Sequence, residues 1–221
     1  MQTLEYVTLS SQMFDFLRRE IIVSDQFKEG VFIREGEIAQ RLGVSRAPVR
    51  EAIKQMEMMG LVVSLPRRGV QVRFFSPEEL NELYEMREVL EGCVFRSIVE
   101  NGLFTRGQYR RFEEMLEALL RICESDLERD EKIATFCDKD MEFHMSLAEL
   151  SRRKWTAHAL EMLYFQLHQA LLSDVEKTEV LADLVRLHYS ILDNLLAGDL
   201  ESLAVDRRYS YFNRRNNSLE I

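Results

Sequence analysis

Three polar side chains with metal-ligating chemistry interrupt apolar stripes in the second half of the chain. Asp140 and His144 are four residues apart, which places them on one face of a helix. His188 lies in another apolar repeat, which also directs it inward. A carboxylate and two imidazoles that converge in a helical bundle suit a first-row divalent metal. An interior histidine can equally be a hydrogen-bonded core residue, so both roles stay open.

Arg87 is a candidate of a different kind, because it falls on the apolar stripe of an earlier helical segment. An unpaired guanidinium is costly in such a position. Arg87 can pair with an internal carboxylate such as Glu91, or it can receive an anionic ligand. The residues alone leave these two possibilities open.

A third group of candidates is basic and lies in the first quarter of the chain. Arg46, Arg50 and Lys54 recur at four-residue spacing, opposite the apolar positions Val49 and Ile53. This pattern predicts an amphipathic helix with a basic outward face. Such a face can contact DNA phosphates and base edges, or it can simply be a solvated surface.

The segment 32–61 has the signals needed to position that basic face. Gly43 ends a first short helix, because glycine tolerates the left-handed backbone that stops a helix. Ser45 is an expected N-cap for the next helix, and Pro48 falls in its first turn. An earlier helix is predicted to begin at a cap formed by Ser10 or Ser11 and to end near Ser24. Together these helices predict a helix-turn-helix.

A two-stranded wing is predicted directly after the basic helix. Leu61–Leu65 and Val70–Phe74 favour strands on either side of the turn Pro66-Arg67-Arg68-Gly69. Arginines at such a tip can reach the DNA backbone or the minor groove, where arginine is favoured. The alternative is an ordinary solvated turn.

The remainder of the chain is helical in period. Ser76, Pro77 and Glu79 form a capping box, with Thr105 and Gln108 forming another, and Asp199 is an expected cap for the last helix. Six helices are predicted, over residues 77–100, 106–124, 130–150, 153–173, 176–197 and 200–216. We therefore expect a mainly α fold, with a winged helix-turn-helix at 1–75 and an antiparallel all-α bundle at 76–221.

Charge and cysteine content agree with this division. Residues 1–75 hold 11 Lys/Arg and 9 Asp/Glu, giving +2, and residues 76–221 hold 18 and 29, giving −11, which sum to the net charge of −9. A weakly basic unit joined to an acidic one is typical of a DNA-binding domain with a separate ligand domain. The 3 cysteines suggest reduced core thiols. Without a long apolar run, the chain is expected to be cytoplasmic and to have no membrane span.

The amino-acid sequence of the predicted helix-turn-helix resembles that of the DNA-binding domain of the GntR family of bacterial transcription regulators. The resemblance rests on the runs Leu42-Gly43-Val44-Ser45-Arg46, Pro48-Val49-Arg50-Glu51-Ala52 and Gly60-Leu61. The resemblance also implies a DNA-contacting arginine at the position of Gly36; here either Arg34 compensates by a different reach, or that contact is absent. The DNA-binding residues that the resemblance and the motif together imply are Arg34, Ser45, Arg46, Ala47, Pro48, Arg50, Arg67, Arg68 and Gly69.

The second part resembles the helical effector-binding (FCD) domain of the FadR branch, and the six-helix count favours its VanR-like subgroup. The resemblance rests on the segment 83–87, on Leu90-Glu91, on Asp140-x-x-x-His144 and on His188-x-x-Ile191. It implies a zinc or nickel site at Asp140, His144 and His188. The family's fourth ligand, a histidine, falls at Ser210 here, and serine is a poor ligand for these metals. Two outcomes are therefore open: the site binds a divalent ion loosely, with water or the effector's carboxylate completing the shell, or the histidines hydrogen-bond an organic ligand directly. The resemblance also implies that Arg87, together with Ser210, binds an effector carboxylate.

We therefore expect a ligand-responsive transcription regulator, acting as a repressor, that binds double-stranded DNA as a homodimer. Its effector is expected to be a small organic acid. Two alternatives are a metal-dependent helical-bundle enzyme and a helical module that binds RNA. No nucleophile or general base accompanies the polar trio, and no aromatic stacking platform for RNA is evident.

Overall fold

The computed structural model of the chain describes residues 8–23, 30–175 and 181–204, with the helix ends 22–23 and 168–175 described by their backbone only. The chain divides into two compact units, Met1–Ser76 and Pro77–Ile221. The division falls one residue after the predicted boundary. No helix in the described ranges is long and apolar enough to cross a membrane.

The first unit combines three helices with a small sheet. Its elements in chain order are α1 (Leu9–Val23), β1 (Phe32–Ile33), α2 (Glu35–Leu42), α3 (Arg46–Met58), β2 (Val62–Leu65) and β3 (Gly69–Val72). Helix α3 packs against α1, α2 and β2, so it is the centre of this unit. The predicted winged helix-turn-helix is confirmed.

The start of α1 differs from the prediction. The helix begins at Leu9, and the hydroxyl of Thr8 accepts a hydrogen bond from the backbone N–H of Ser11 at 3.2 Å. Thr8 is therefore the cap, and the predicted caps Ser10 and Ser11 lie inside the first turn. The predicted end near Ser24 falls outside the described residues.

The turn between α2 and α3 forms as its sequence predicts. Gly43 has a left-handed backbone, with φ of 66°, and the N–H of Val44 donates to the carbonyl of Ala39 at 3.0 Å. Ser45 has the extended backbone of an N-cap, but its side chain makes no capping hydrogen bond. Val49 and Met56 of α3 are fully buried.

The sheet has a third strand that the sequence analysis missed. Strand order is β1-β3-β2, and both pairings are antiparallel. Phe32 pairs with Gln71 and Ile33 with Val70, so the segment before α2 closes onto the wing. The predicted hairpin is confirmed, with β2 and β3 slightly shorter than expected.

The second unit is an antiparallel helical bundle, as predicted. Its helices are α4 (Pro77–Glu100), α5 (Arg106–Glu124), α6 (Arg129–Leu150), α7 (Lys154–Val175) and α8 (Leu181–Ala197). A sixth helix, α9, begins at residue 200 and is described through residue 204. Helix α6 packs between α5 and α7, while α4 packs on α7 and α5 on α8.

Two of the predicted helix caps in the bundle can be compared with the structure in detail. The side chain of Asp199 accepts hydrogen bonds from the backbone N–H groups of Glu201 and Ser202, which confirms it as the cap of α9. Thr105 accepts from the N–H of Gln108 at 3.3 Å. The amide oxygen of Gln108 has no partner among the described residues, so this capping box is only half formed.

Candidate functional site

The outward face of α3 carries most of the residues predicted to contact DNA. Ser45, Arg46, Ala47 and Arg50 are exposed, and Pro48 is half-buried at the same end of the helix. The opposite face is fixed by buried apolar side chains of the unit's core. Helix α3 can therefore offer its N-terminal half to a groove without rearranging the core.

Two of the predicted arginines are held by carboxylates of α2. The guanidinium of Arg50 contacts Glu35, with Nε and Nη2 each 3.0 Å from Oε2. The charge and hydrogen bonding of Glu35 raise the pKa of Arg50 above its usual value. Arg34 lies 3.7 Å from Glu37, and both of these side chains are largely exposed.

Arg46 occupies the space left open by Gly36. A Cβ atom added to Gly36 would lie 3.3 Å from Nη2 of Arg46, which is closer than ordinary contact. The guanidinium of Arg46 therefore lies across the start of α2. A larger residue at 36 requires Arg46 to move.

The tip of the wing is exposed at all four of its residues. Arg67 has a left-handed backbone, with φ of 62°, and the N–H of Arg68 donates to the carbonyl of Leu65 at 3.0 Å. Left-handed backbone is uncommon for a residue other than glycine. Pro66 and Gly69 complete the turn, and both arginine side chains face solvent.

A second candidate site lies inside the bundle and is built by four helices. It contains six polar side chains, each less than one tenth exposed. Helix α4 provides Arg87 and Glu91, α6 provides Asp140 and His144, α7 provides Tyr164, and α8 provides His188. The apolar stripes predicted that four side chains point inward, and all four are buried: Arg87, Asp140, His144 and His188.

Arg87 forms the buried pair that was one of its two predicted roles. Its Nε lies 3.2 Å from Oε1 of Glu91, and its guanidinium lies over the ring of Tyr164, 4.5 Å from the centroid. Burial by itself would raise the pKa of Glu91. The charge of Arg87, with further donors from His144 and Tyr164, instead holds that pKa well below its usual range. Glu91 is therefore a carboxylate.

The contacts of His144 determine which of its nitrogens carries the proton. Nδ1 lies 3.0 Å from Oε1 of Glu91, a carboxylate that can only accept, so Nδ1 donates. Nε2 lies 3.0 Å from Nη2 of Arg87, which can only donate, so Nε2 accepts. Burial, followed by the charge of Arg87, lowers the pKa of His144 to about 4, which agrees with a neutral ring.

His188 is oriented in the same manner by a backbone carbonyl. Its Nδ1 lies 2.7 Å from the carbonyl oxygen of Leu184, which requires a proton on Nδ1. Its Nε2 lies 3.1 Å from Oδ1 of Asp140 and 2.8 Å from Nε2 of His144. In a neutral His188 this Nε2 therefore presents a lone pair to two other acceptors.

Three acceptor atoms thus lie close together. The ligand atoms of Asp140, His144 and His188 all lie within 4.8 Å of one another. A bound cation would satisfy lone pairs that lie at such distances from one another. Two imidazoles and a carboxylate, with both imidazole N–H groups held by acceptors, are a set of ligands that could hold a metal ion.

Aromatic rings fix the two imidazoles in place. Phe143 packs edge-on against His144 and His188, with centroid distances of 5.2 and 4.9 Å. Tyr164 stacks on His144 at 5.1 Å, and its hydroxyl donates to Glu91. These rings leave little freedom for the histidines to turn away from each other.

Sequence reasoning did not find every member of this site. Glu91 was noted only as a partner of Arg87, and its contact with His144 was not anticipated. Tyr164 was missed, because a tyrosine on an apolar stripe has the sequence pattern of an ordinary core residue. The proposed effector residue Ser210, at the family's fourth ligand position, lies outside the described residues.

Comparison with known proteins matches both units to described families. Residues 9–72 match the family described as bacterial regulatory proteins, gntR family, and residues 82–205 match the FCD domain. A probable D-xylose utilization operon transcriptional repressor of Paenarthrobacter nicotinovorans is 30% identical over 202 residues, covering 88% of this chain and 81% of the relative.

Two further comparisons, one of sequence and one of structure, extend this match. The HTH-type transcriptional regulator YdhC of Bacillus subtilis (strain 168) is 27% identical over 157 residues, covering 68% of this chain and 64% of that protein. Among solved structures, Escherichia coli McbR/YncC superposes with a TM-score of 0.76 at 21% identity, covering 96% of this chain and 100% of the other. This last likeness concerns the fold alone.

Proposed function

Because the chain belongs to the GntR family of transcription regulators and carries an FCD domain, we propose that it is a homodimeric repressor whose operator affinity is set by a divalent cation and a small organic acid. Members of this family are transcription regulators and not enzymes, so the alternative of a metal-dependent enzyme is set aside. A regulator of chromosomal genes acts in the bacterial cytoplasm.

The first unit, residues 1–76, is proposed to bind double-stranded DNA. The N-terminal residues of α3 enter the major groove, with Arg46 reading a base edge and Arg50 leaving Glu35 for a phosphate. Ser45, Ala47 and Pro48 form the rest of that contact surface. The proposed backbone or minor-groove contacts are those of Arg34, Arg67, Arg68 and Gly69.

A homodimer is proposed because one recognition helix contacts few base pairs. Two copies related by a two-fold axis match an inverted-repeat operator, with half-sites one helical turn apart or at multiples of it. The repressor named in the Paenarthrobacter comparison supports repression as the outcome of binding.

The second unit is proposed to bind a cation at Asp140, His144 and His188. The bound ion would act as a Lewis acid that attracts an anionic group of the effector. Arg87 is the proposed partner of that anionic group, because it is the cation nearest to the three ligands. The convergence of three buried acceptor atoms beside this arginine is the observation that carries the proposal.

The test begins with selection of duplexes from a random library by the full chain. Selected duplexes are expected to share an inverted repeat, and sedimentation is expected to find two copies per duplex. Fluorescence anisotropy of that duplex is then measured with metal-stripped protein, with zinc alone, and with zinc plus members of a panel of small carboxylic acids. At least one acid is expected to change operator affinity by about fivefold or more when zinc is present.

The matched control is the double variant D140N/H188A, which removes two proposed ligands and leaves the first unit intact. It is expected to bind the same duplex with wild-type affinity and to lose the response to zinc and acid. A response that survives in the double variant would contradict the proposed site. Selection of duplexes with no symmetry, bound by one copy, would contradict the dimeric operator.

A further inference from the structure

One side of the second unit carries exposed apolar side chains along two helices. On α4, Met86 and Val89 are 54% and 67% exposed, and on α7 Trp155 is 86% exposed. Ala159 is exposed and Met162 is half-buried on the same side of α7. Spacings of three and four residues place each set on one side of its helix. Large apolar side chains gain free energy when another surface covers them. We refer to these five residues as the α4–α7 face.

The two helices that form this face are antiparallel neighbours. The hydroxyl of Ser97, near the end of α4, donates to the carbonyl of Ser151, just before α7, at 3.1 Å. Farther back along α4, Glu91 accepts from the hydroxyl of Tyr164, in the middle of α7. The last turns of α4 therefore lie beside the first turns of α7, and the two sets of exposed residues form one surface.

Charged side chains give the α4–α7 face one basic end and one acidic end. Exposed cations lie where α4 ends and α7 begins: Arg96, Arg152, Arg153 and Lys154. Glu100 is also exposed at this end, where the cations outnumber it. Exposed carboxylates lie along the first turns of α4: Glu78, Glu82 and Glu85. At 1.5 Å per residue, Glu82 and Arg96 are about 21 Å apart along α4, which is too far for them to pair within one chain.

We propose that the α4–α7 face is the surface through which two copies of this chain pair about a two-fold axis. This inference rests on the homodimer of the proposed function, and it names the surface that forms it. Val89 lies midway between Glu82 and Arg96 in the sequence. An axis beside Val89 therefore places the acidic end of each copy on the basic end of the other, with the two α4 helices antiparallel.

Charge and burial both favour this arrangement. Antiparallel pairing joins opposite charges at both ends of the interface, whereas parallel pairing would oppose carboxylates to carboxylates and cations to cations. Met86, Val89 and Trp155 become covered at the centre, and the charged residues form the rim, as in protein interfaces generally. A large aromatic side chain such as Trp155 is typical of the residues that contribute most to such contacts.

Cysteine cross-linking of the full-length chain tests the position of the axis. In V89C, the two introduced thiols lie beside the axis, within reach of a disulfide. Mild oxidation is expected to convert most of V89C into a species of twice the mass on a non-reducing gel. The wild type, with its own free cysteines, gives the background. The matched control is E142C, in which the cysteine replaces an exposed residue of α6 and is expected to stay at that background.

Tryptophan fluorescence reports whether this face is covered, because Trp155 is the one tryptophan of the chain. Sedimentation and emission spectra are measured over the same dilution series of the wild type. Dissociation of the dimer is expected to coincide with a red shift of the emission, as the indole becomes exposed to water.

Exchange of charges tests the antiparallel orientation. E82R and R96E are each expected to weaken association by about tenfold at low salt, because each places like charges together at both ends of the interface. The double variant E82R/R96E is expected to regain wild-type association, since the reversed charges meet each other across the axis. Circular dichroism confirms that all three variants are folded.

The outcomes separate this face from the homodimer itself. A dimer that forms without cross-linking of V89C and without a shift of the Trp155 emission would overturn the α4–α7 face and leave the homodimer standing. Association of E82R/R96E no tighter than that of R96E would overturn the antiparallel orientation. Sedimentation as a monomer at every concentration, both free and on the selected duplex, would overturn the homodimer and the face together.

Discussion

The two units of this protein each contain an arginine held by a glutamate, in opposite surroundings. Arg50 and Glu35 are 3.0 Å apart with side chains 56% and 29% exposed, whereas Arg87 and Glu91 are 3.2 Å apart with side chains 3% and 4% exposed. Similar distances therefore describe different interactions. The exposed pair contributes little and can open for a phosphate, while the buried pair cannot open without a replacement partner.

This contrast assigns different tasks to the two arginines. At the surface, water replaces a lost partner, so Arg50 can exchange Glu35 for another anion, such as the proposed DNA phosphate, at small cost. In the bundle, Arg87 is buried from bulk water, so any change there has to be balanced by another charge or acceptor. A domain that binds DNA gains from the first arrangement, and a domain that responds to a ligand gains from the second.

The largest effect is expected from E91A, which removes the carboxylate that compensates Arg87. The free energy of unfolding should fall by about 3–5 kcal/mol, because an uncompensated buried guanidinium remains. Urea denaturation followed by far-UV circular dichroism measures the change. The control is R87M/E91L, which removes both charges and should recover most of the loss. A loss below ~1 kcal/mol in E91A would show that the buried Arg87–Glu91 pair contributes no more to stability than an exposed pair such as Arg50–Glu35.

The next effect concerns DNA affinity. R46A is expected to weaken binding to the selected operator by about 1–3 kcal/mol, since a bidentate contact between arginine and guanine has that magnitude. Anisotropy titrations at several salt concentrations measure both the affinity and its salt dependence. R46K is the matched control, because it keeps the charge without the planar fork. Wild-type affinity and salt dependence in R46A would exclude Arg46 from the interface.

The surroundings of Tyr109 are intermediate between those of the exposed Arg50–Glu35 pair and those of the buried Arg87–Glu91 pair. It is half-buried, and its hydroxyl donates to Asp193 at 2.8 Å. This hydrogen bond, with burial and the charge of Asp193, raises the pKa of Tyr109 to about 12, from a usual value of 10.0. The folded state thus favours the protonated phenol. The contribution of this hydrogen bond is fully present below pH 10 and is lost as the pH rises towards 12.

Y109F should therefore lower the free energy of unfolding by about 1 kcal/mol at neutral pH, after allowance for solvent screening. The difference between wild type and Y109F should shrink as the pH is raised above 10. Urea titrations of both proteins at neutral and alkaline pH measure this. A difference that stays constant with pH would mean that the phenol proton is not involved.

The smallest effect is expected from E35Q. Losing an exposed pair should change the free energy of unfolding by only about 0.2–1 kcal/mol. Operator affinity should rise slightly, because Arg50 no longer has a competing carboxylate. E57Q is the matched control, because it removes an exposed carboxylate at the end of α3 opposite to the proposed DNA contacts. A loss of operator affinity in E35Q alone would indicate that Glu35 holds Arg50 in the orientation that DNA requires.

Local signals were sufficient to predict the helix-turn-helix and the inward faces of the bundle helices. Gly43 ends α2 and Asp199 caps α9, and both roles depend only on residues nearby in the sequence. The sequence alone therefore predicts them. Strand β1 was missed because Phe32 finds its partner Gln71 far along the chain. The sequence predicted a complete capping box at Gln108, but only half of it forms. Neighbouring helices determine where an amide side chain points, and the local sequence does not show this.

The sequence predicted members of the buried cluster, but it did not predict their hydrogen-bond partners. The stripe positions of Asp140, His144 and His188 showed that each side chain points inward. The positions could not show that Glu91 fixes the proton on His144 or that Arg87 covers its other nitrogen. Those contacts depend on how two helices are rotated about their axes, which periodicity within one helix does not encode.

Gly36 has a consequence for the evolution of this regulator. Every glycine codon becomes an arginine codon by one base substitution, so the arginine that the family resemblance implies at this position lies a single mutational step away. That step would add a cation beside α3 and would also displace Arg46 from the space that it now occupies. One substitution would therefore alter two positions of the proposed DNA-binding surface at once. A change in the buried cluster, in which each residue contacts several others, requires instead a compensating change in a neighbour.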